Sequence, residues 1–155
     1  MSTVGESYGN RLQEVVATES RELEADFGRI EAETTGPEER RRLVDQLLER
    51  LAAHAAARRE VLYPEVSREV PDGDSLVDLA LLGLDQIERT TKEFEGLSGA
   101  EPSFHPLVTK LATEVWEYLD EEEGNVLPAV VDAIGTDRAN ELGDALAQAG
   151  AVTGR

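Results

Sequence analysis

The sequence contains no cysteine and only two histidines, His54 and His105, among its 155 residues. The lack of cysteine excludes disulfides, thiolate metal sites and cysteine nucleophiles. With so few imidazoles, any zinc or iron site would depend mainly on oxygen ligands. Basic residues are also scarce, because 15 Lys and Arg stand against 33 Asp and Glu, a formal net charge of −18. This charge repels polyphosphates and anionic lipids, so we expect no binding to nucleic acid or membranes.

Long apolar runs and known catalytic motifs are missing as well. No apolar stretch approaches the ~20 residues that span a bilayer, and the N-terminus lacks the basic and apolar parts of a signal peptide. We therefore expect a cytoplasmic protein. No phosphate-binding glycine loop, nucleophile elbow or HExxH zinc motif occurs. The length predicts one domain over residues 1–155, with a core over about 8–148 and a loose tail over 150–155.

Apolar residues recur at spacings of three and four along most of the sequence, which predicts an all-α fold. Four long helices and a short C-terminal fifth helix are expected. They cover about residues 8–33, 37–63, 75–94, 106–127 and 136–149. Pro64 is expected to end or kink the second helix, because proline cannot donate the backbone hydrogen bond that continues it.

The second and fourth predicted helices repeat one another at an offset of 64 residues. The aligned pairs are Val44 with Val108, Leu47 with Leu111, Leu51 with Val115, Leu62 with Val126, and Pro64 with Pro128. In this alignment His54 falls on Tyr118, and Arg58 falls on Glu122. Each apolar face therefore carries two polar residues one turn apart. In an antiparallel four-helix bundle such positions converge at one level of the core, so the repeat predicts a polar cluster there.

Three segments of the sequence resemble the hemerythrin-like, or HHE cation-binding, domain family. They are LAAHAAARREVLYP at 51–64, PDGDSLVD at 71–78 and YLDEEEGNVLP at 118–128. The similarity covers about residues 10 to 148, and it implies an up-down antiparallel four-helix bundle. It also implies a non-haem di-iron centre held by histidines from all four helices and by carboxylates from the second and fourth. Such centres bind or sense oxygen, or react with related oxidants and nitrogen oxides.

Most of the ligands implied by this resemblance are replaced. At the matching positions the sequence has Ser20, His54, Arg58, Leu84, Tyr118 and Glu122. Only His54 and Glu122 keep the ligand type that the family pattern requires, so they are the candidate ligands if any metal binds. Arg58 places a permanently protonated guanidinium where a bridging carboxylate belongs. Two iron ions need several imidazoles and carboxylates to balance their charge, so we expect no metal cofactor, with iron as the alternative.

These replacements suggest that Arg58 supplies the positive charge of the missing metal and pairs with Glu122. His54 and Tyr118 are expected to form hydrogen bonds around this pair. In the first functional hypothesis, the four residues are the catalytic set of a metal-free pocket for a small organic molecule. Arg58 would hold an anion, and Glu122 or His54 would move a proton. Tyr118 would orient the substrate or donate to it. These four residues together suit a cofactor-independent isomerase, cyclase or lyase.

Ser20 and Leu84 are the candidate substrate-binding residues of this pocket. Two alternatives stay open, and so does the question of whether the protein is an enzyme. In one, Arg58 and Glu122 only specify the folded core, and the protein acts through its acidic surface on a protein partner or as a homo-oligomer. In the other, His54 assisted by Glu122 holds a single metal ion or a haem and senses oxygen or nitrogen oxides.

Overall fold

A computed structural model of the protein describes residues 9–153. Its helices are α1 (Arg11–Ala32), α2 (Pro37–Ala57), α3 (Tyr63–Glu69), α4 (Gly73–Lys92), α5 (Phe104–Glu121) and α6 (Leu127–Thr153). A π-helical turn at Arg58–Leu62 joins α2 to α3, and a second one at Glu122–Val126 joins α5 to α6. No strand occurs between residues 9 and 153, which confirms the predicted all-α class. No helix in this range is both long and apolar enough to cross a bilayer.

Four rods form the bundle: α1, α2 with α3, α4, and α5 with α6. The first rod packs on the second and the fourth, and α4 packs on α3 and α5. Apolar side chains that point inward from all four rods form one core, and its most deeply buried members include Leu12, Val16, Leu47, Leu62, Leu84, Leu111 and Val130. The predicted four-helix bundle is therefore confirmed.

Pro64 and Pro128 do not end their helices. Pro64 lies near the start of α3, and the rod continues to Glu69. In the same way Pro128 is the second residue of α6, and the helix continues beyond it. Because proline has no N–H and its ring crowds the preceding turn, each rod widens by one residue into a π turn just before the proline instead of stopping.

The last rod bends at Gly135, whose φ of 83° and ψ of 169° are not helical. Glycine tolerates this conformation because it has no Cβ. The helix is broken at this residue: the part of α6 before Gly135 continues the rod of α5, and the part after it corresponds to the predicted fifth helix. The helix continues to Thr153, so the loose tail predicted from residue 150 is helical as far as it is described. Residues 1–8 and 154–155 of the predicted domain lie outside the described range.

Candidate functional site

Arg58 and Glu122 are the first residues of the two π turns, and their side chains meet in the core. Arg58 is 0% exposed and Glu122 is 2% exposed. The guanidinium Nε donates to Oε1 of Glu122 over 3.0 Å, and Nη2 donates to Oε2 over 2.9 Å. Such a bidentate pair is among the stronger hydrogen-bonded ion pairs in proteins. The predicted pairing of Arg58 with Glu122 is confirmed.

Glu19 on α1 is a third member of this cluster that the sequence analysis missed. Its Oε1 lies 2.7 Å from Nη1 of Arg58, an ion pair that lacks the angles of a good hydrogen bond. The side chain of Glu19 is 21% exposed, so it forms the outer end of the cluster. Burial raises the pKa of Glu19 above its ordinary value, although the charge of Arg58 opposes the shift. Arg58 therefore lies between two carboxyl groups rather than beside one.

Ser20 does not join the cluster, although it was assigned the inward position of the first helix. It is half-buried, and its hydroxyl donates to Oε2 of the exposed Glu123 over 3.0 Å. The error is one residue, which corresponds to a rotation of about 100° around the helix. The buried Val16 and Leu23 were the available signal, because Glu19 lies three residues after the first and four before the second.

Two tyrosines extend the network on the other side of Glu122. The hydroxyl of Tyr118 donates to Oε1 of Glu122 over 3.3 Å, and it also shares a hydrogen bond with the hydroxyl of Tyr63. Burial raises the pKa of both tyrosines, so both hydroxyls stay protonated at neutral pH. The structure confirms the predicted hydrogen bond of Tyr118. Tyr63 was not predicted, since nothing but its position before Pro64 marked it.

His54 lies one turn before Arg58 and is 7% exposed. Burial, together with the charge of Arg58, lowers the pKa of His54 well below its ordinary value, so the imidazole is neutral at pH 7. Its ring meets the edge of the Tyr118 ring with centroids 5.7 Å apart. The predicted hydrogen bond of His54 to the ion pair is not formed, because its buried Nε2 has no partner among the described residues.

Three of the predicted residues line a small apolar cavity at this level. His54, Tyr118 and Leu84 enclose a volume of about 70 Å³ between α1, α2, α4 and α5. The remaining wall is mostly apolar and includes Leu23, Leu48, Leu51, Ile87, Val115 and Leu119. Arg58 and Glu122 do not line this space. The predicted set is therefore split between an apolar cavity and an ion cluster one turn away.

A larger open groove reaches the same site from outside. It lies between α1, α2 and α6, has a volume of about 670 Å³, and has both Glu19 and His54 in its wall. His54 thus contacts the groove on one side and the cavity on the other. The environment moves the pKa of Glu19 up and that of His54 down, so two titratable groups of different character face one opening.

The donor set at this level does not fit a di-iron centre. Both oxygens of Glu122 accept hydrogen bonds from Arg58, whose positive charge would repel a cation placed beside it. His54 offers one imidazole, and no second histidine lies near it. In the range 9–153 no group of three or more His, Asp or Glu residues is arranged to hold a metal ion.

Comparisons with known proteins agree with the fold. The family described as "Hemerythrin HHE cation binding domain" matches residues 11–130, which include every member of the cluster. A protein of Nostoc sp. (strain PCC 7120) named "DNA nickase" is 24% identical over 132 residues. That alignment covers 84% of this chain and 36% of the Nostoc protein, so the chain spans about a third of that relative. No solved structure matches the chain.

Proposed function

The chain belongs to the hemerythrin HHE cation-binding domain family, and we propose that its core binds a small organic molecule beside His54 without a metal. The observation that carries this proposal is the fully buried guanidinium of Arg58, which occupies both oxygens of Glu122. In the family pattern this level of the core holds metal ligands. Here a side-chain cation balances the carboxylates, and Nε2 of the neighbouring His54 has no hydrogen-bond partner among the described residues.

The cavity defines the size and character of the ligand. Its volume of about 70 Å³ is roughly half that of an engineered apolar cavity that binds benzene, so it suits a molecule of a few heavy atoms. The polar side chains in its wall are His54, Glu88, Thr91 and Tyr118, and among them Nε2 of His54 is a buried atom without a partner among the described residues. A hydroxyl can pair with either tautomer of a neutral imidazole, because it both donates and accepts. The ligand class is therefore a small alcohol with an apolar body.

The residues around the cavity suit proton transfer of the isomerase, cyclase or lyase type. His54 is neutral at pH 7 and can accept a proton, and Tyr118 is a protonated donor in the same wall. His54 and Glu19 both line the open groove, so a proton accepted by His54 can leave to solvent on that side. Arg58 has a carboxyl group against each of its terminal nitrogens, so in this proposal it positions Glu19 and Glu122 and does not contact the ligand.

Two other functions have less support. A cavity of about 70 Å³ is too small for a haem, and the engagement of Glu122 by Arg58 argues against a single metal on His54. We do not extend the activity named for the Nostoc protein to this chain. The matched region is 36% of that protein, and a net charge of −18 opposes contact with a DNA backbone.

The first test is elemental analysis, with an ultraviolet-visible spectrum, of protein purified from iron-supplemented growth. We expect an iron content far below one ion per chain and no oxo-to-iron absorption. A stoichiometric di-iron complement would overturn the metal-free proposal. The variant Arg58→Glu, which restores the carboxylate of the family pattern, should take up no more iron, because most of the histidine ligands are also missing.

The second test is a titration with 1-propanol, followed by the NMR signals of leucine methyl groups. We expect saturable shifts at Leu84 and Leu51 and none at the exposed Leu79. Leu84→Phe should fill the cavity and abolish binding, whereas Leu79→Ser should leave it unchanged. His54→Leu should weaken binding about fivefold to tenfold, the value of one hydrogen bond. Shifts that persist unchanged in Leu84→Phe would place the ligand elsewhere and refute the assignment.

A further inference from the structure

The groove between α4 and α5 carries the two exposed large apolar side chains of the described residues. Leu79 is 51% exposed and Leu82 is 64% exposed. They are three residues apart on α4, so they lie on the same side of the helix. Between them and α5 is an open space of about 280 Å³. Single exposed leucines need no explanation, but a pair beside a groove is typical of a binding surface.

The wall of this groove is acidic. It includes Glu114, Glu117 and Glu121 of α5, and among the described residues no lysine or arginine lines it. Glu117 is exposed, so it forms part of the rim. A partner that covers the two leucines must therefore approach a negatively charged edge, which favours a partner with basic residues.

Glu114 lies in the wall of the groove and has one carboxylate oxygen without a partner among the described residues. It is 7% exposed, and its Oε2 accepts a hydrogen bond from Nε2 of Gln86 over 3.2 Å. Its other oxygen, Oε1, is buried and has no partner among the described residues. A buried carboxylate oxygen left unpaired destabilises the protein, so a donor from a bound molecule would be favoured at this point.

We propose that the α4–α5 groove binds a basic amphipathic helix of a partner protein. The apolar face of that helix covers Leu79 and Leu82, and one of its Lys or Arg side chains donates to Oε1 of Glu114. This is the helix-in-groove mode of recognition, in which apolar anchors repeat at helical spacing. A second copy of this chain is a poor occupant, because each copy carries a net charge of −18.

This proposal is independent of the small-molecule site. Leu79, Leu82 and Glu114 do not line the cavity beside His54, although Tyr118 lies in the wall of both spaces. A failure of propanol binding would leave the groove proposal intact, and the reverse also holds.

The test uses a synthetic helix of about 18 residues, built from leucine and arginine with leucines at i, i+3, i+4 and i+7. A control peptide has the same composition in an order that spreads the leucines around the helix. Binding is measured by calorimetry in about 0.15 M salt, where long-range attraction is screened. We expect one site per chain and an affinity at least about tenfold higher for the amphipathic peptide.

Variants of the protein locate the site. Leu79→Ser with Leu82→Ser should weaken binding about tenfold or more, and both positions are exposed, so the fold should be kept. Glu114→Gln should weaken it about fivefold, since the amide loses the charge but can still accept from Gln86. The matched control is Glu31→Gln, an exposed glutamate of α1 outside the groove, which should leave the affinity unchanged.

Four results would overturn the proposal. Equal affinity for the two peptides, or equal losses in Glu114→Gln and Glu31→Gln, would show general attraction to an acidic surface. Binding that is unchanged when both leucines are replaced would place the peptide elsewhere. A dimer in sedimentation equilibrium that Leu82→Ser dissociates would make a second copy the occupant.

Discussion

The two π turns of the bundle share a backbone and differ in charge. In each turn the N–H of the following residue donates to the carbonyl of the first, Tyr63 to Arg58 and Leu127 to Glu122. The first residues are 64 positions apart, the same offset that aligns the apolar faces. One turn contributes a cation and the other contributes a carboxylate. A repeated hairpin thus provides two equivalent inward positions, and complementary side chains at those positions can replace a shared metal.

The comparison is not symmetrical, because α1 adds a second carboxyl group. Arg58 contacts both Glu19 and Glu122, whereas Glu122 contacts a single guanidinium. Removing Arg58 leaves two carboxyl groups without a counter-ion, whereas removing Glu122 leaves Arg58 with one carboxyl partner. The two halves of the repeat should therefore respond differently to substitution, although their backbones match.

The largest expected effect is that of Arg58→Met. Met has a similar length and no charge, so the variant leaves Glu19 and Glu122 in the core without a counter-ion. We expect a loss of about 3–5 kcal/mol in the free energy of unfolding at pH 7, measured with urea. The matched control is Arg59→Met, since Arg59 is 37% exposed and pairs with Glu88 at the surface. Arg59→Met should lower the free energy of unfolding by under about 1 kcal/mol. Equal losses for the two variants would contradict the proposed cluster.

Glu122→Gln should destabilise less than Arg58→Met. The amide keeps one acceptor for Arg58, and Glu19 still balances the charge, so we expect a loss of about 2–3 kcal/mol in the same urea experiment. Glu123→Gln, next to it on the exposed face, should change the free energy of unfolding by under about 0.5 kcal/mol. If Glu122→Gln costs more than Arg58→Met, the asymmetry between the two turns is wrong.

The third prediction compares His54 with Glu19 by their pH dependence. The folded state lowers the pKa of His54, so its contribution is present above the unfolded pKa of about 6.5 and is lost as the pH falls through the folded value. Relative to His54→Leu, the protein should lose stability below about pH 6.5, with a slope of up to about 1.4 kcal/mol per pH unit. The measurement is urea unfolding at a series of pH values.

Glu19 should show the opposite sign. The folded state raises the pKa of Glu19. Its contribution to the stability of the protein is therefore present below the unfolded pKa of about 4.5 and is lost as the pH rises through the folded pKa. Relative to Glu19→Gln, the protein should therefore be more stable in acid than at neutral pH. The same sign for both variants would mean that one of the two environments is assigned incorrectly.

The Arg58–Glu122 pair could be predicted because two independent patterns agreed on it. Helical spacing placed each residue on an apolar face, and the 64-residue repeat placed them at the same level. Glu19 could not be found this way, because a single glutamate on an amphipathic helix has the pattern of a surface residue. Glu19 and Ser20 differ by a rotation of about 100° around the helix, and the repeat was aligned only over the second and fourth predicted helices, so it did not decide between them.

Sequence patterns also could not predict the π turns or the unpartnered nitrogen of His54. A π turn adds one residue to a helix without a composition of its own, and Pro64 and Pro128 indicated only that the rods are disturbed there. The partners of an imidazole depend on side-chain torsions and on distances of a few tenths of an ångström. Spacing located His54 at the level of the cluster, but it could not separate a hydrogen-bonded histidine from one that faces an apolar cavity.

The smallest predicted effect concerns a position where the two halves of the repeat differ in polarity. Tyr63 follows the first π turn, and its equivalent after the second is the apolar Leu127. Tyr63→Phe removes one hydroxyl and leaves the hydrogen bond of Tyr118 to Glu122 in place, so we expect a loss of about 1 kcal/mol in the free energy of unfolding. Tyr118→Phe removes both bonds and should cost more. If Tyr63→Phe instead lowers the free energy of unfolding as much as Tyr118→Phe does, the hydrogen bond between the two hydroxyls is needed to hold Glu122. Tyr63 as well as Arg58 would then hold Glu122 from the first half of the repeat.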